Sequence, residues 1–483
     1  MRDITEALSS VKALPVSNGM ISPYIFREYD IRGRINVEDE LSDENIYGLA
    51  RAQATFFTQH GIGTLIVGHD ARAYSQKVKD IVILGLTDSG IDVLDIGQVL
   101  VPIFYFAQYH LQQKGGIMIT ASHNPNGWSG MKVANDYSTT LLGEDIKELE
   151  KIFNGKNFIS GKGRVKKVEG IINDYSSDIL NRIKISRPLR VLVDAGNGTA
   201  GPIVPGILRK AGYEVIERHC NLDATFPNHE PNPSTLATAQ DIAQGVIESG
   251  ADVGFGFDDD GDRLGFSDNK GNIIWPDKAL IFLARGVLKK YPGSSIVFDI
   301  KSSRALIEDI EAHGGKPVMW KTGHSYIKQK SKEVDAALAG ERSGHIFFRK
   351  GYYGYDDAPF AALKFLEYLT SQEKPFSELL KTIPQYVSSP VWEPACPDDK
   401  KYQVVQKMTA ELKAEYGDKN VLDINGARVN FADGWGLIRA SSNLPALSMV
   451  FEAKTEEGLK TLENLFRDKL SKYPEVSKEW KSG

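Results

Sequence analysis

The chain has 483 residues, of which 41% are hydrophobic and 25% charged, a balance typical of soluble globular proteins and not of disordered chains. At roughly 150 residues per domain, this length predicts about three or four domains with sizeable cores. The 58 Lys and Arg residues against 63 Asp and Glu residues give a formal charge of −5, which provides no broad cationic surface. Because a cationic surface is lacking, we do not expect nucleic acid as a partner. No apolar run approaches the ~18 residues of a membrane span, so we do not expect a membrane as a partner either.

The cysteines and the N-terminal stretch indicate the compartment. Cys220 and Cys396 lie far apart in the sequence, which favours reduced thiols over a disulfide framework or a thiolate metal cluster. The N-terminal stretch MRDITEALSSVKALPV mixes charged and apolar residues and lacks the continuous apolar segment of a secretory signal. We therefore expect a cytoplasmic protein.

Short apolar runs, often β-branched, alternate along the chain with segments of helical period, such as residues 276–291, for which we expect Asp277 as the N-cap. This alternation predicts βαβ units with largely parallel sheets that are covered on both faces. The runs recur in three similar stretches, which favours weak repetition of one domain type. The predicted strands lie within TLIVGHD (64–70), GIMITAS (116–122), RVLVDAGNG (190–198), DVGFGFDDD (252–260), SSIVFDI (294–300), KPVMW (316–320) and AALAGERSG (336–344).

Three breaks suggest domain boundaries: a polar, basic stretch at 154–168, turn-forming residues at 267–278, and a proline-rich linker at 384–397. After the linker, consecutive strands precede one final helix, with Thr455 as its expected N-cap, which is an α+β pattern. The fold class is thus α/β, with three related α/β domains and a smaller α+β C-terminal domain. The predicted domains are residues 1–167, 168–268, 269–384 and 385–483.

The first candidate site is TASHNPN, residues 120–126. Ser122 follows an apolar run, so it should lie at the carboxyl end of a strand, where ligands bind in open α/β sheets. Adjacent side chains point in different directions, so His123 is not an obvious base for Ser122. The alternative interpretation of Ser122 is the N-cap of a following helix.

The second candidate site is GFDDDGDR, residues 256–263. In an extended stretch, Asp258, Asp260 and Asp262 would lie on one side of the backbone. Three neighbouring carboxylates require a hard divalent cation, and ligation by oxygen alone favours Mg²⁺. The alternative is a solvated acidic turn. A calcium EF-hand loop is excluded, because the positions of Gly261 and Asn269 do not match its glycine and its final glutamate.

The third candidate site is GERSGH, residues 340–345, again after a predicted strand. Glu341, Ser343 and His345 alternate, so a β-like loop would present them together. Carboxylate and hydroxyl groups suit sugar hydroxyls as partners, although a plain turn is the simpler interpretation.

The fourth candidate site is RASSNLP, residues 439–445. Arg439 has a planar guanidinium that matches phosphate geometry, and Ser441, Ser442 and Asn443 add donors in the same turn. The alternative is a hairpin loop rich in ordinary turn-forming residues.

Together these motifs resemble the α-D-phosphohexomutase family, and most of all its bacterial phosphomannomutase/phosphoglucomutase branch. The resemblance extends over nearly the whole chain. Its motifs here are YDIRG (29–33), TASHNP (120–125), the DxDGDR loop, KTGHS (321–325), GExSGH, and RASxxxP followed by FEA. The departures from the family pattern are Ser129 in place of asparagine, Arg342 in place of methionine, and Ser442-Asn443 in place of asparagine-threonine.

The resemblance implies four domains around one central cleft. It implies that Ser122 carries a phosphoryl group, that its oxygen completes the Mg²⁺ site of the three aspartates, and that Glu341 and Ser343 bind sugar hydroxyls. The distal phosphate site would be formed by Arg439, Ser441, Ser442 and Asn443. The other cleft residues implied by the resemblance are His123, Lys132, Arg32 and His324 for catalysis and Tyr29, Arg263, Lys301 and His345 for substrate binding.

The resemblance implies interconversion of hexose 1-phosphate and hexose 6-phosphate, of mannose or glucose or both. The reaction would pass through a phosphoserine and a hexose 1,6-bisphosphate, which would also act as activator. Arg32, Lys132 and His324 all remain candidates for charge stabilisation or proton transfer. The alternatives are a phosphoglucosamine mutase, a magnesium-dependent sugar-phosphate phosphatase and a non-catalytic sugar-phosphate-binding protein. We expect sugar phosphates as partners and a monomer or weak homodimer.

Overall fold

In residues 21–442 and 444–481, which a computed structural model describes, four β-sheets follow one another along the chain. The N-terminal stretch examined for a secretory signal lies outside the described residues, and so does Asn443 of the predicted phosphate loop. Within the described residues, no helix combines the length and the apolar character that crossing a membrane requires.

The first sheet contains a parallel group with antiparallel strands at one side. β4 (Gly115–Ile119), β2 (Thr64–His69), β3 (Asp92–Gln98) and β7 (Val165–Lys167) are parallel neighbours in that order. The antiparallel strands beside β4 are, from the nearest outward, β5 (Trp128–Asp136) and then β1 (Ile31–Arg34), with the short β6 (Thr139–Thr140) also on β5. The helices of this part are α1 (Asp43–Gln59), α2 (Ser75–Thr87), α3 (Val101–His110) and α4 (Glu144–Gly155).

The second sheet follows the helix α5 (Ile171–Leu180). Its strands lie in the order β12 (Ile273–Ile274), β11 (Leu264–Asp268), β10 (Val253–Phe257), β8 (Arg190–Asp194) and β9 (Glu214–Arg218). β10, β8 and β9 are parallel, whereas β11 is antiparallel to both of its neighbours. The helices are α6 (Val204–Lys210) and α7 (Leu236–Ser249).

The third sheet lies in the order β14 (Lys316–Trp320), β13 (Ser295–Asp299), β15 (Leu338–Gly340) and β16 (Ile346–Phe348). The first three of these are parallel and the last is antiparallel. The helices are α8 (Pro276–Lys290), α9 (Arg304–Ala312), α10 (His324–Glu333), α11 (Ala358–Thr370) and α12 (Phe376–Leu379).

These three sheets share one four-strand topology, which confirms the predicted related α/β domains with mixed, largely parallel sheets. In each, three strands lie parallel and a fourth runs antiparallel beside the third, giving the orders β3-β2-β4-β5, β9-β8-β10-β11 and β14-β13-β15-β16. The turn that leads from the third to the fourth strand has the same position in each sheet. It contains residues 120–127, 258–263 and 341–345, which are the first three candidate sites.

The fourth sheet is wholly antiparallel, as the predicted α+β pattern requires. Its order is β17 (Val387–Ser388), β21 (Leu447–Ala453), β20 (Gly434–Ala440), β19 (Ala427–Phe431) and β18 (Val421–Leu422). Its helices are α13 (Asp398–Tyr416), which the sequence analysis did not predict, and α14 (Glu456–Leu470). The expected cap of α14 is confirmed, since the Thr455 hydroxyl accepts a hydrogen bond from the backbone N–H of Gly458 at 3.0 Å.

Two local predictions are wrong. The proline-rich stretch is not a free linker, because Val387 pairs with Ala453 and Trp392 forms a bridge with Met449 at the edge of the fourth sheet. Asp277 is not the N-cap of α8, because that helix begins at Pro276 after Trp275. A proline favours the first helical position, and this moves the cap two residues earlier, to Trp275, than the aspartate pattern predicted.

The packing makes one body of the first three sheets. A continuous buried cluster includes Phe104 beside the first sheet, Val191 in the second and Phe298 in the third. The fourth sheet and its helices have a core of their own around Met408 and Phe451. The cores therefore fix the first three candidate loops relative to one another. The predicted domain limits at residues 167, 268 and 384 stay predictions.

Candidate functional site

Ser122 lies in the loop between β4 and β5, where its hydroxyl donates a 3.0 Å hydrogen bond to Asp258 Oδ2 of the second domain. Its φ of +50° is in the left-handed region, which is sparsely populated by residues other than glycine. The backbone N–H of Ser122 donates to Thr120 Oγ1 at 2.8 Å, and the residue is buried. The loop leads into a strand, so the interpretation of Ser122 as a helix N-cap is wrong.

His123 lies closer to the Ser122 hydroxyl than the sequence argument implied, with 3.1 Å between Ser122 Oγ and His123 Nδ1. Burial, together with the charges of Arg263 and Arg32, holds the pKa of His123 well below its ordinary value. The ring is therefore neutral at neutral pH and can take part in a hydrogen bond with the hydroxyl as donor or acceptor.

Two buried arginines hold the Ser122 loop from its carbonyl side. Arg32, a predicted site residue, donates to Ala121 O at 2.6 Å and to Asn124 Oδ1 at 3.0 Å. Arg72 donates to Ser122 O at 2.9 Å and to Asn124 O at 2.6 Å. Arg72 also donates from Nε to Asp259 Oδ2 of the acidic loop at 3.1 Å, so it fastens the first loop to the second.

The three aspartates of the second loop come together, with one oxygen of each within 4.8 Å of the others. They do so through a tight turn rather than the predicted extended stretch, because Gly261 has a φ of +70°. Asp258 Oδ1 accepts from the backbone N–H groups of Asp262 at 3.1 Å and Arg263 at 3.0 Å. All three aspartates are fully buried, so the interpretation as a solvated acidic turn is wrong.

The aspartate cluster fits a divalent cation. Asp260 Oδ1 is buried and, among the described residues, has no hydrogen-bond partner, which is costly for a carboxylate oxygen without a cation. The Lys132 ammonium contacts Asp262 Oδ2 and lies 3.2 Å from Asp260 Oδ2. Burial and the charges of Asp262 and Asp260 raise the pKa of Asp258 well above its ordinary value. The donor set contains only oxygen, as hard cations prefer.

The third loop contacts the second directly. His345 Nδ1 lies 2.9 Å from Glu341 Oε2, and His345 Nε2 lies 3.3 Å from Asp262 Oδ1. Ser343 Oγ lies 3.3 Å from the same His345 Nδ1, so the structure brings the alternating side chains together as predicted. Although burial alone would lower the pKa of His345, Asp262 and Glu341 raise it. The His345 ring thus lies between two carboxylates that favour its protonated form.

His324 begins helix α10, and its ring centroid lies 5.5 Å from that of His345. Its ring packs edge-on against Tyr29 with 4.8 Å between ring centroids, and its Nδ1 lies 3.7 Å from Asp356 Oδ2. Burial and the charges of Lys328 and Lys132 hold the pKa of His324 well below its ordinary value. His324 is therefore neutral at neutral pH and can accept a proton.

Lys301 and Arg263 each lie beside a buried aspartate. Lys301 Nζ lies 3.8 Å from Asp299 Oδ2, and burial lowers the pKa of its ammonium. Arg263 Nε lies 3.8 Å from Asp258 Oδ2, and its backbone forms a bridge with that of His345. Lys301 thus lies beside Asp299, and Arg263 lies beside Asp258 of the aspartate cluster.

The fourth loop presents a buried guanidinium at the end of β20. Arg439 donates from Nε to Asn425 Oδ1 at 2.8 Å and from Nη2 to Ser442 Oγ at 2.9 Å. Ser441 Oγ accepts from the backbone N–H of Leu444 at 3.3 Å. Asn425 Oδ1 also accepts from the backbone N–H of Thr322 at 3.3 Å, which connects this loop to the stretch before His324.

Several residues of the site were not predicted. Asp70 Oδ2 accepts from the backbone N–H of Ala121 at 3.2 Å, and Asp299 Oδ1 accepts from that of Arg342 at 3.1 Å, an equivalent contact in the third domain. The predicted strands TLIVGHD and SSIVFDI both place an aspartate at the same sheet edge, and this pattern could have found them. The other residues that the sequence analysis missed are Arg72, Asp259, Lys328, Asp356 and Asn425.

Four family models match successive parts of the chain, all described as phosphoglucomutase/phosphomannomutase. The alpha/beta/alpha domain I matches residues 23–160, domain II matches residues 173–271 and domain III matches residues 275–386. The C-terminal domain of the same group matches residues 395–469. The matches follow the four sheets in order.

Characterised relatives and solved structures agree with these matches. The chain is 41% identical to a phosphomannomutase/phosphoglucomutase of Pseudomonas syringae pv. tomato, over 95% of this chain and 97% of that one. It is 38% identical to a phosphoglucomutase of Neisseria gonorrhoeae, over 94% of this chain and 98% of that one. A phosphoglucomutase/phosphomannomutase family protein of Burkholderia thailandensis superposes with a TM-score of 0.86 at 34% identity, covering 95% of this chain and 99% of that one.

Proposed function

The chain belongs to the phosphoglucomutase/phosphomannomutase family, and from this premise we propose that it interconverts hexose 1-phosphates and hexose 6-phosphates of mannose, glucose or both. The observation that carries the proposal is the 3.0 Å hydrogen bond between the Ser122 hydroxyl and Asp258. It places a nucleophilic oxygen of the first domain beside three buried aspartates of the second. A phosphoryl group on that oxygen would lie beside a cation site.

We assign the cation site to Mg²⁺, held by Asp258, Asp260 and Asp262 together with the oxygen of Ser122. The all-oxygen donor set and the unpartnered Asp260 Oδ1 support this assignment. When bound, Mg²⁺ supplies positive charge that offsets the negative charge of the phosphoryl oxygens. Lys132 lies 3.2 Å from Asp260 Oδ2 and Arg263 lies 3.8 Å from Asp258 Oδ2, so both add positive charge from the chain itself beside the cation site.

The transfer breaks the bond between phosphorus and Ser122 Oγ and forms a bond between phosphorus and a sugar hydroxyl oxygen. The proton of that hydroxyl passes to a base, for which His324 is the strongest candidate, because its Nε2 is buried and has no hydrogen-bond partner among the described residues. Lys132 keeps its proton, since Asp260 and Asp262 raise its pKa against the effect of burial. Lys132 therefore stabilises charge, whereas His324 takes the proton.

The resulting hexose 1,6-bisphosphate turns end for end and returns its other phosphate to Ser122. Arg439, Ser441 and Ser442 hold the phosphate that is not reacting, and the sequence places Asn443 in the same loop. Glu341 and Ser343 bind hydroxyls near the middle of the ring, so that both orientations meet the same contacts. A site that makes no contact at C2 accepts glucose and mannose alike.

The test is turnover of glucose 1-phosphate and mannose 1-phosphate, each with Mg²⁺ and a trace of hexose 1,6-bisphosphate. The variant Ser122→Ala should lose isomerisation completely, whereas Ser331→Ala, a buried serine of α10, should retain it. Mass spectrometry of the isolated protein should locate phosphate on Ser122. Full turnover by Ser122→Ala would overturn the covalent route.

The same assay separates the alternatives. Chelation should stop the reaction and added Mg²⁺ should restore it, so activity that ignores the chelator would remove the metal role. Free phosphate without isomer would instead indicate a phosphatase, and faster turnover of glucosamine phosphate a phosphoglucosamine mutase. Binding without any turnover would indicate a non-catalytic sugar-phosphate-binding protein. The monomer or weak homodimer and the cytoplasmic location stay predictions.

A further inference from the structure

A second group of metal-ligating side chains lies at the carboxyl edge of the second sheet, formed by residues that have no part in the proposed phosphoryl transfer. Asp194 ends β8, His219 follows β9, His229 lies in the long loop after it, and Asp241 belongs to α7. One ligand atom of each residue lies within 4.8 Å of the other three. We name these residues the Asp194 cluster.

Three distances within the Asp194 cluster are close to those between the ligands of a tetrahedral ion. His229 Nε2 lies 3.1 Å from Asp194 Oδ1 and 3.7 Å from Asp241 Oδ2, and His219 Nε2 lies 3.0 Å from Asp241 Oδ2. An ion with bonds of about 2.1 Å to nitrogen and oxygen holds tetrahedral ligands about 3.4 Å apart. Little movement is therefore needed for all four residues to bind one ion.

The proton on His229 independently points to a cation. Its Nδ1 lies 2.8 Å from the carbonyl oxygen of Glu230, which can only accept, so Nδ1 carries the hydrogen. In the neutral ring, the lone pair of Nε2 then faces the oxygens of Asp194 at 3.1 and 3.2 Å, which also only accept. A positive charge, either a second proton on the ring or a metal ion, must lie between two acceptors at this distance. A histidine that binds a metal typically donates its other N–H to a carbonyl in this way.

Arg218 is the competing cation at this place. It donates to Asp241 Oδ2 from Nε at 3.0 Å and to Asp241 Oδ1 from Nη2 at 2.8 Å. Each carboxylate oxygen has more than one lone pair, so Asp241 can accept from Arg218 and still bind an ion. Because Glu248 Oε2 accepts from Arg218 Nη1 at 3.0 Å, the guanidinium charge is already balanced. The charges of Asp194 and Asp241 therefore balance a divalent ion.

We propose that the Asp194 cluster binds one divalent transition-metal ion of the Zn²⁺ type. Two imidazole nitrogens with two carboxylate oxygens suit Zn²⁺, whereas Mg²⁺ prefers oxygen ligands alone. The side chain of Asp194 is 1% exposed and that of Asp241 is 31% exposed. The cluster is therefore buried on the Asp194 side and accessible to an ion from solvent on the Asp241 side.

The ion would fix the loop of residues 219–235, which connects β9 to α7 without regular structure of its own. Loops of this length in a compact domain usually have a function or need anchoring. The Phe226 ring of this loop lies under the Arg72 guanidinium at 5.0 Å, and Asn228 Nδ2 donates to Asn197 Oδ1 at 2.8 Å. The metal thus supports the surface on which Arg72 packs.

The experiment uses the full chain, stripped with a chelator and then saturated with Mg²⁺ so that the aspartate site of the cleft is filled. Zinc is added, excess is removed by dialysis, and metal content is measured by atomic emission. We expect about one Zn²⁺ per chain and a thermal unfolding midpoint that rises with zinc concentration, because the ion binds the folded state. Substituted Co²⁺ should show the visible absorption of tetrahedral coordination.

The variant His219→Ala should weaken zinc binding by more than the roughly 10–100-fold that loss of an outer-shell partner costs. Asp241→Asn, which keeps the shape of the side chain, should do the same if His219→Ala fails to fold. The matched control is His110→Ala, because His110 also lies beside one carboxylate, Asp174, at 3.5 Å. Zinc binding that is absent, or that His219→Ala and Asp241→Asn leave unchanged, would overturn the proposal and leave His229 as a protonated partner of Asp194.

Discussion

Arg72 shows how a single buried side chain can determine the geometry of the proposed nucleophile. Its guanidinium is fully buried and donates to Ser122 O, Asn124 O and Asp259 Oδ2 at once. Ser122 has a left-handed backbone conformation, which costs about 1–3 kcal/mol and persists only when the surroundings fix it. Arg72 supplies that fixation, because the planar fork directs several N–H groups at fixed angles.

We therefore expect Arg72→Lys to lower kcat while leaving KM nearly unchanged. A lysine ammonium cannot reach both carbonyl oxygens and Asp259 together, and a misplaced reacting group costs up to about 100-fold in rate. Steady-state kinetics on glucose 1-phosphate measure the split between kcat and KM. Arg182→Lys is the control, because Arg182 pairs with Asp178 at 2.9 Å outside the cleft. An unchanged kcat in Arg72→Lys would contradict the positioning role.

The sequence could predict Ser122 and the three aspartates because each follows a buried strand within one short motif. It could not predict Arg72, whose partner Asp259 is 187 positions away in the chain. A contact of that separation has no local periodicity, and only the shared four-strand topology brings it about. Asp356 was missed for the same reason, since its neighbours His324 and Lys328 belong to helix α10, whereas Asp356 lies in the stretch before α11.

At the scale of the element, the start of α11 contains a buried carboxylate that should make stability depend on pH. Asp357 caps the helix by accepting from the backbone N–H of Phe360 at 2.8 Å, and it also accepts from the hydroxyls of Tyr175 at 2.7 Å and Tyr352 at 2.6 Å. Burial raises the pKa of Asp357 from an ordinary 3.8 to about 6. Between these values the folded chain binds more protons than the unfolded chain.

The direction in which the free energy of unfolding changes with pH follows from this difference in bound protons. Asp357 stabilises the folded state fully below pH 4, and its contribution is lost as pH rises towards about 6, by up to about 3 kcal/mol at 1.36 kcal/mol per unit. Asp357→Asn keeps a capping oxygen and does not titrate. The free energy of unfolding of the wild type, minus that of the variant, should therefore fall between pH 4 and pH 6.

Urea unfolding at several pH values measures this difference. Asp80→Asn is the control, since it makes the same substitution at a side chain of α2 that is 43% exposed. A difference for Asp357→Asn that stays flat or rises with pH would show that the hydrogen bonds outweigh burial.

Elements were predictable where the apolar pattern was strong and less so where capping or tertiary contact decides. The helix α13 was missed because its exposed face is highly polar, and only a few residues such as Val404 and Met408 reach the core. Asp277 was assigned to the wrong position because its side chain turns inward to accept from Ser303 N at 2.8 Å and Arg342 Nη1 at 3.1 Å. Both features depend on partners that lie outside the segment itself.

At the scale of the whole molecule, the fourth domain is held very differently by its two neighbours. On the third domain, Arg428 donates to Ile300 O and Ser302 O, both at 2.7 Å, and Glu452 Oε1 accepts from Arg304 N at 2.8 Å, all in buried or part-buried surroundings. Burial lowers the pKa of Arg428 to about 9, which reflects how completely this guanidinium is removed from water. The sequence predicted a separate fourth domain but could not show which neighbour holds it.

Between the fourth and the first domain, the ion pair and the side-chain hydrogen bond lie near the protein surface. Arg27 Nη1 lies 3.7 Å from Asp398 Oδ2, and the hydroxyl of Tyr402, which is 54% exposed, donates to Glu28 Oε1 at 3.1 Å. The side chains of Arg27 and Asp398 are 11% and 20% exposed, and a single ion pair at 3.7 Å and a hydrogen bond to an exposed tyrosine contribute only about 1 kcal/mol each. The fourth domain should therefore open away from the first domain while its contacts with the third remain.

This asymmetry predicts the effect of the double variant Arg27→Gln with Tyr402→Phe, which leaves the pair between Asp398 and Lys401 intact. Loss of both contacts should shift the open-to-closed ratio by about 1 kcal/mol, or roughly fivefold, towards the open form. Solution X-ray scattering should then give a larger radius of gyration, and more hexose 1,6-bisphosphate should escape into solution per turnover, because the cleft closes less completely around it. The thermal unfolding midpoint should change little, since neither contact is buried in a core.

Asp433→Asn is the control, because it removes the exposed pair with Lys454 at 2.9 Å inside the fourth domain. If scattering and bisphosphate release matched the wild type, the fourth domain would not open at this edge.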